Sequence, residues 1–165
     1  SIKCVELLET GQVDLIVINY PNSYLSNLYS FKQIAEFKDV FIANRSFAEL
    51  KDKALSLRDL LNYPILMLDR KSTTSEFLHS LFQKHQLDLV PEIELSSNDL
   101  LIDLAKIGLG IAFIPDYCVP KDSDDLFVVH TDEVLPTRQL VVVHNEHVPV
   151  SKATLEFLNY FQPIE

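Results

Sequence analysis

Leu100-Leu101-Ile102-Asp103-Leu104-Ala105-Lys106-Ile107-Gly108-Leu109-Gly110-Ile111-Ala112-Phe113-Ile114-Pro115 reads as an amphipathic helix stopped by glycine. A buried strand follows at once, and proline ends it. The glycines carry weight because the whole chain holds only three. The third, Gly11, closes Val5-Glu6-Leu7-Leu8-Glu9-Thr10 and opens Val13-Asp14-Leu15-Ile16-Val17-Ile18. Both helix-to-strand joints thus carry the one residue that enters the left-handed region at no steric cost. The repetition of the joint predicts two parallel-sheet units.

Working outward from Gly108, the preceding segments keep the same grammar. Ser56 to Leu61 is a short capped helix, and Ile65-Leu66-Met67-Leu68 a buried strand. Asp69 to Glu76 carries Thr73 and Glu76 at capping-box spacing, ahead of an apolar helical face at Phe77, Leu78, Leu81 and Phe82. Pro91 introduces a strand from Glu92 to Leu95, and Ser96 with Asp99 repeats the box before the Leu100 helix. Strand, helix, strand, helix, strand is βαβ order, which implies an α/β fold with a mostly parallel sheet. Nearer the start, Leu28 to Ile34 and Phe37 to Ala43 read as two strands. Leu126 to Val129 and Gln139 to Val143 are later strands, and Ser151 caps a last helix from Lys152 to about Phe161.

At 165 residues and 47% hydrophobic, the chain is long enough for one large domain or two small lobes. Its apolar runs are short of a membrane span or a secretory leader, so a cytoplasmic protein that does not enter a membrane is expected. The formal net charge is −10. That sign suits solubility and disfavours contact with phosphate backbones, which rests on clustered lysine and arginine. Cys4 and Cys118 are too few for a disulfide framework and read as packing thiols.

The phrases in register now resemble a known family. Leu7-Leu8-Glu9-Thr10-Gly11-Gln12-Val13-Asp14-Leu15-Ile16, Ser56-Leu57-Arg58-Asp59-Leu60, Ser96 through Pro115, and Leu140-Val141-Val142-Val143 with Ser151 to Phe161 are similar to successive segments of LysR-type transcriptional regulators. The resemblance implies their effector-binding domain, with the two-lobe type 2 periplasmic-binding-protein fold. Lobe I would be 1–44 plus 134–165, and lobe II 45–133. It also implies a small-molecule effector between the lobes, self-association as dimer or tetramer, and DNA contact only through a winged helix-turn-helix outside this chain. The family's domain opens with a strand, a helix and a second strand ahead of the segment that matches Gly11. Those have no counterpart here, so an incomplete lobe I is expected.

Effector residues are sought where helices start after strands. The first amides of a helix lack intrahelical partners and carry partial positive charge, which draws carboxylate, sulfate or phosphate. Two such starts are Lys71-Ser72-Thr73-Thr74 and Ser96-Ser97-Asn98, at the carboxyl ends of strands where α/β ligands gather. The alternative role is plain capping by Thr73 and Ser96, worth about 1 kcal/mol each. Tyr20 and Pro115 stand directly beyond strands and would wall the cleft, or merely terminate those strands. Arg45, Arg70 and Arg138 are further cations for an anionic ligand, or solvated surface charge.

Enzyme chemistry finds little support. His144-Asn145-Glu146-His147 has the look of a metal pair but lacks a third ligand at recognisable spacing. Neither a nucleophile elbow nor a phosphate loop is present, and Gly108-Leu109-Gly110 precedes a strand, unlike a dinucleotide fingerprint. No catalytic residue, metal or cofactor is expected. The rival on the same fold is a periplasmic-type solute-binding protein or a prephenate-dehydratase-like enzyme domain.

Overall fold

The computed structural model describes residues 2–121 and 125–161. The chain divides into two units, Ser1–Phe37 with Thr137–Glu165 and Lys38–Pro136.

In the first unit, α1 (Ile2–Glu9) ends where Gly11 takes φ +66°. The Gly11 amide donates to the Leu8 carbonyl at 3.1 Å and the Gln12 amide to that of Leu7 at 2.9 Å, which spends carbonyls the helix would leave open. Then come β1 (Leu15–Tyr20) and β2 (Ser30–Phe37). The late strand β9 (Arg138–His144) lies between them in the order β1-β9-β2. Both pairings are antiparallel, with Leu15 opposite His144 and Phe37 opposite Arg138. The expected parallel sheet is therefore corrected for this unit. β1 and β2 run alike, but the strand inserted between them follows the whole of the other unit in sequence and runs against both. Val5 and Leu8 of α1 pack on Ile16, Ile18, Val141 and Val143, the alternate residues of β1 and β9. The closing helix α5 (Lys152–Tyr160) is capped by Ser151, whose hydroxyl accepts the Thr154 amide at 3.2 Å. The Thr154 hydroxyl in turn donates to Asp14 at 2.9 Å.

The second unit holds β3 (Asp39–Asn44), β4 (Ala54–Leu55), α2 (Leu57–Leu60), β5 (Ile65–Leu68), α3 (Thr73–Lys84), β6 (Ile93–Leu95), α4 (Asn98–Lys106), β7 (Ile111–Pro115) and β8 (Leu126–Thr131). Its sheet runs β4-β8-β3-β7-β5-β6. β5 is parallel to both β6 and β7, and β4 to β8, while β3 is antiparallel to both its neighbours. The sheet is mixed but mostly parallel, as expected: β4, β5, β6, β7 and β8 run alike and β3 runs against them. β3 pairs with β7 and β8, so residues 38–44 belong here and the first crossing falls at Phe37/Lys38, earlier than the expected Asn44/Arg45. The second falls at Pro136/Thr137 instead of Glu133/Val134.

Alternation along the central strands builds two separate cores. Phe41, Ala43, Ile65, Met67, Ile111 and Phe113 face Leu78, Leu81 and Phe82 of α3. Ile42, Leu66, Ala112 and Ile114 face Leu101, Ile102 and Ala105 of α4. These strands are covered on both faces, which is why they read as unbroken apolar runs. Full burial of one such leucine contributes about 1.5–3 kcal/mol. Gly108 (φ +79°) ends α4, and beside it the Asn44 side-chain amide donates to the Lys106 carbonyl at 2.7 Å. The expected cap at α2 is a capping box of Ser56 and Asp59: the Asp59 amide donates to the Ser56 hydroxyl at 3.1 Å, and Asp59 accepts from the Ser56 hydroxyl and amide at 2.7 and 3.2 Å. Those bonds, the hydroxyl's first, hold the Asp59 carboxyl below its ordinary range. The help they give the fold is present at neutral pH and lost as pH falls through that lowered value.

Gly110 is required for a different reason from Gly11. A methyl group there would press on the Pro64 carbonyl and the Leu66 side chain. At Gly11 a methyl meets nothing within 4 Å, and only its positive φ resists substitution. Gly11→Ala should cost about 1–2 kcal/mol, and Gly110→Ala up to about 3 kcal/mol, because backbone must move. Urea unfolding of the two variants checks the order; equal losses would remove the close approach from the explanation.

Candidate functional site

β5 and β6 end side by side. Leu68 stands opposite Leu95, and the Asp69 amide continues the ladder to the Leu95 carbonyl at 2.8 Å. The chain then leaves β5 for α3 on one face of the sheet and leaves β6 for α4 on the other. Adjacent strands whose following helices lie on opposite faces leave a crevice between their carboxyl ends. β7 runs parallel to β5, with Ile65 opposite Ile111, so Pro115 reaches the same edge. The structure thereby brings Lys71–Thr74, Ser96–Asn98 and Pro115 to one rim of the second unit.

The cap of α3 is Ser72, which corrects the expected Thr73. Ser72 has extended dihedrals (φ −93°, ψ 136°), and its hydroxyl accepts the Thr74 amide at 3.1 Å. The preceding turn is set by Asp69, whose carboxylate accepts the Lys71 amide at 3.0 Å and whose carbonyl accepts that of Ser72 at 3.0 Å. Thr73 is the first helical residue. With Thr74 and Ser75 it is at most 3% exposed, an unusual run of hydroxyls to bury. The Ser75 Oγ atom is buried with no hydrogen-bond partner among the described residues, and so is Nε2 of His79 one turn on.

At α4 the expected Ser96–Asp99 box is absent. Ser97 is the cap residue and makes no side-chain bond to the helix, while Ser96 is exposed. Asn98 opens the helix. Its amide nitrogen donates to the Cys118 sulfur at 3.7 Å, and its Oδ1 atom is buried without a partner among the described residues. Burial pushes the Cys118 thiol up, aided by the carboxylates of Asp99, Asp39 and Asp116. A protonated thiol is a packing group, not a nucleophile.

The other candidates scatter. Tyr20 closes β1 in the first unit and packs against Phe31, ring centroids 4.5 Å apart and planes tilted by 30°. Arg45 pairs with Asp125 at 3.0 Å in the open, and Arg70 reaches Glu94 at 3.9 Å. Arg138 is buried in the first unit, its guanidinium 5.2 Å from the Phe37 ring, so it is no surface cation. Lys71 is exposed at the rim, without an ion pair among the described residues. His144 and His147 remain a pair: no group of three or more metal-ligating side chains forms among the described residues. A cavity of about 350 Å³, lined by Ser56, Arg58, His85, Asp132 and Glu133 among others, lies elsewhere in the second unit. Its charges are mixed, and His85 there faces Glu133 at 3.6 Å.

Sequence reasoning missed Ser75 and His79. The available signal was the fourth hydroxyl of Ser72-Thr73-Thr74-Ser75 with a histidine four residues on, on the same helical face.

The family model described as the LysR substrate binding domain matches residues 1–163. Among curated relatives, the chain is 25% identical over 158 residues to the HTH-type transcriptional activator CmpR of Synechocystis sp. (strain ATCC 27184 / PCC 6803 / Kazusa), covering 94% of this chain and 51% of that protein. It is 29% identical over 157 residues to the Probable RuBisCO transcriptional regulator of Porphyra purpurea, covering 89% and 48%. The chain spans about half the length of the curated relatives it matches. Among solved structures, it resembles the Synechocystis PCC6803 CcmR regulatory domain in complex with 2-PG, with TM-score 0.83, 20% identity, and coverage of 94% of this chain and 75% of that one. The effector binding domain of QuiR in complex with shikimate gives TM-score 0.83 at 15% identity, covering 97% and 75%.

Two serines that look alike in sequence should behave differently. Ser72→Ala should cost about 1 kcal/mol, as loss of a working cap does. Ser97→Ala should cost a few tenths of a kcal/mol at most, since its hydroxyl caps nothing. Chemical unfolding of both variants checks this, and equal costs would contradict the cap geometry.

Proposed function

From the premise that this chain belongs to the LysR substrate-binding domain family, we propose that its second unit takes a small anionic metabolite at the rim where β6, β5 and β7 end. The observation that carries this is the arrival of two helix starts at neighbouring strand ends. α3 and α4 both begin just beyond these strand ends, and the partial positive charge of each helix start favours anionic oxygen there. Lys71 adds a full charge at the mouth, and the Ser72–Thr74 turn supplies hydroxyls. Asn98 offers a buried carbonyl oxygen that is not already spent, suited to a ligand hydroxyl. Support comes from structures of the same fold described with 2-PG and with shikimate.

The protein is a sensor and not an enzyme. The thiol beside Asn98 is held protonated. In the whole regulator, DNA contact falls to a helix-turn-helix outside these residues, and a chain of net charge −10 leaves phosphate backbones to it. The regulator self-associates and works in the cytoplasm, where its DNA is. Effector binding acts by favouring one arrangement of the assembly, which requires unequal affinity for the two.

Titration calorimetry with 2-PG, shikimate and other small acids tests the assignment. Binding should be measurable, and Lys71→Ala and Asn98→Ala should each weaken it about tenfold, or about 1.4 kcal/mol. Full affinity in both variants would move the site off this rim.

A further inference from the structure

We infer that Ser75 and His79 read a second oxygen function of the effector, so that the site selects acids with two polar ends over simple monofunctional anions. This rests on the assignment of the α3 start as the effector site, and deepens it.

Ser75 is completely buried, yet its hydroxyl has no partner among the described residues. Buried polar groups in folded proteins are nearly always paired, so one that is not calls for a physical reason. The usual outlet for a helical serine is the carbonyl four residues back, here that of Lys71, and the Ser75 Oγ atom does not take it. Burial of a hydroxyl contributes nothing to packing that alanine would not. α3 fixes itself to the core through Leu78, Leu81 and Phe82 and has no need of Ser75.

His79 repeats the pattern. Its Nε2 atom is buried and unpartnered among the described residues, and it lies on the same helical face as Ser75. Helical side chains incline toward the N-terminus. The Ser75 hydroxyl is therefore aimed over the first turn of α3, and His79 leans toward Ser75. The two make a polar line leading inward from the amides where the anion sits. Ser75 can donate to a ligand oxygen, and His79 Nε2 can donate or accept according to tautomer. One helical turn is about 5.4 Å, so the acid that fits carries its second oxygen about that far from its charged group. A hydroxylated carboxylic acid is the chemical class.

The geometry makes an uncommon demand on the variants. A group that is unmet in the free protein is removed without loss of stability, whereas a group that meets ligand is removed at the expense of affinity. Ser75→Ala and His79→Leu in this chain should therefore melt no lower than the parent without ligand. Their Kd for shikimate, which carries hydroxyls, should rise at least tenfold. Their Kd for inorganic phosphate, which fills only the helix start, should stay within about twofold. His79→Gln keeps a nitrogen donor at similar reach and should restore most of the shikimate affinity, which keeps the test decisive if His79→Leu folds poorly. Parent-like shikimate binding in Ser75→Ala and His79→Leu, with loss in Asn98→Ala, would overturn the inference and leave the rim assignment standing. Equal weakening toward shikimate and phosphate would overturn it too, by making both residues structural. Absence of binding by either probe to the parent chain would remove the inference and the rim assignment together.

Discussion

The pairing of β5 with β6 governs the second unit. Parallel neighbours cannot be joined by a tight turn, so each must be left through a crossover. β5 is covered on both faces, one by the α3 core and one by the α4 core. Two crossovers on opposite sides of one strand pair oblige two helices to begin within a strand spacing of each other. The hydrogen bond from Asp69 to the Leu95 carbonyl carries the register one step past the strands and into the rim. Everything assigned to ligand follows from that placement: amide ends, hydroxyl turn and the Asn98 side chain.

Much of this was legible in the residues. The Ile65–Leu68 strand and the joints at Gly11 and Gly108 follow from apolar runs and left-handed glycine, properties a residue owns by itself. Ser56 as a cap was legible because its neighbours offer no competing hydroxyl. Ser72-Thr73-Thr74-Ser75 and Ser96-Ser97 offer several, and spacing to the next acid fits more than one of them. Dihedrals then decide, and those depend on the turn that Asp69 builds. Strand direction in the first unit was not legible either. Alternation says that a strand has a buried face, and is silent on whether its partner comes from nearby or from Arg138 onward. The boundary at Phe37/Lys38 was hidden for the same reason. β2 and β3 follow each other with Lys38 alone between them, and only their partners tell them apart.

The charge of the chain makes the rim's chemistry selective. At −10 overall, the distant field does not gather anions, and recognition falls to dipoles that act over a few ångströms. Close dipoles reward an oxygen placed correctly and give little to one that is merely negative. Arg70 leans toward Glu94, and Arg45, beyond the end of β3 away from the rim, pairs with Asp125, so neither adds to the charge that Lys71 brings to the mouth. A site built this way is expected to bind modestly and to discriminate sharply.

The central place of β9 has a consequence for biosynthesis. The sheet of the first unit needs a strand translated after all of Lys38–Pro136, whereas the second unit is one continuous stretch. Emerging from the ribosome, the later-starting half can therefore close its cores while β1 and β2 wait, exposed at their edges, for the piece that joins them. Nascent chains halted before Arg138 would present those two edges together, and chaperones would meet Leu15–Tyr20 and Ser30–Phe37 for longer than the strands of the second unit.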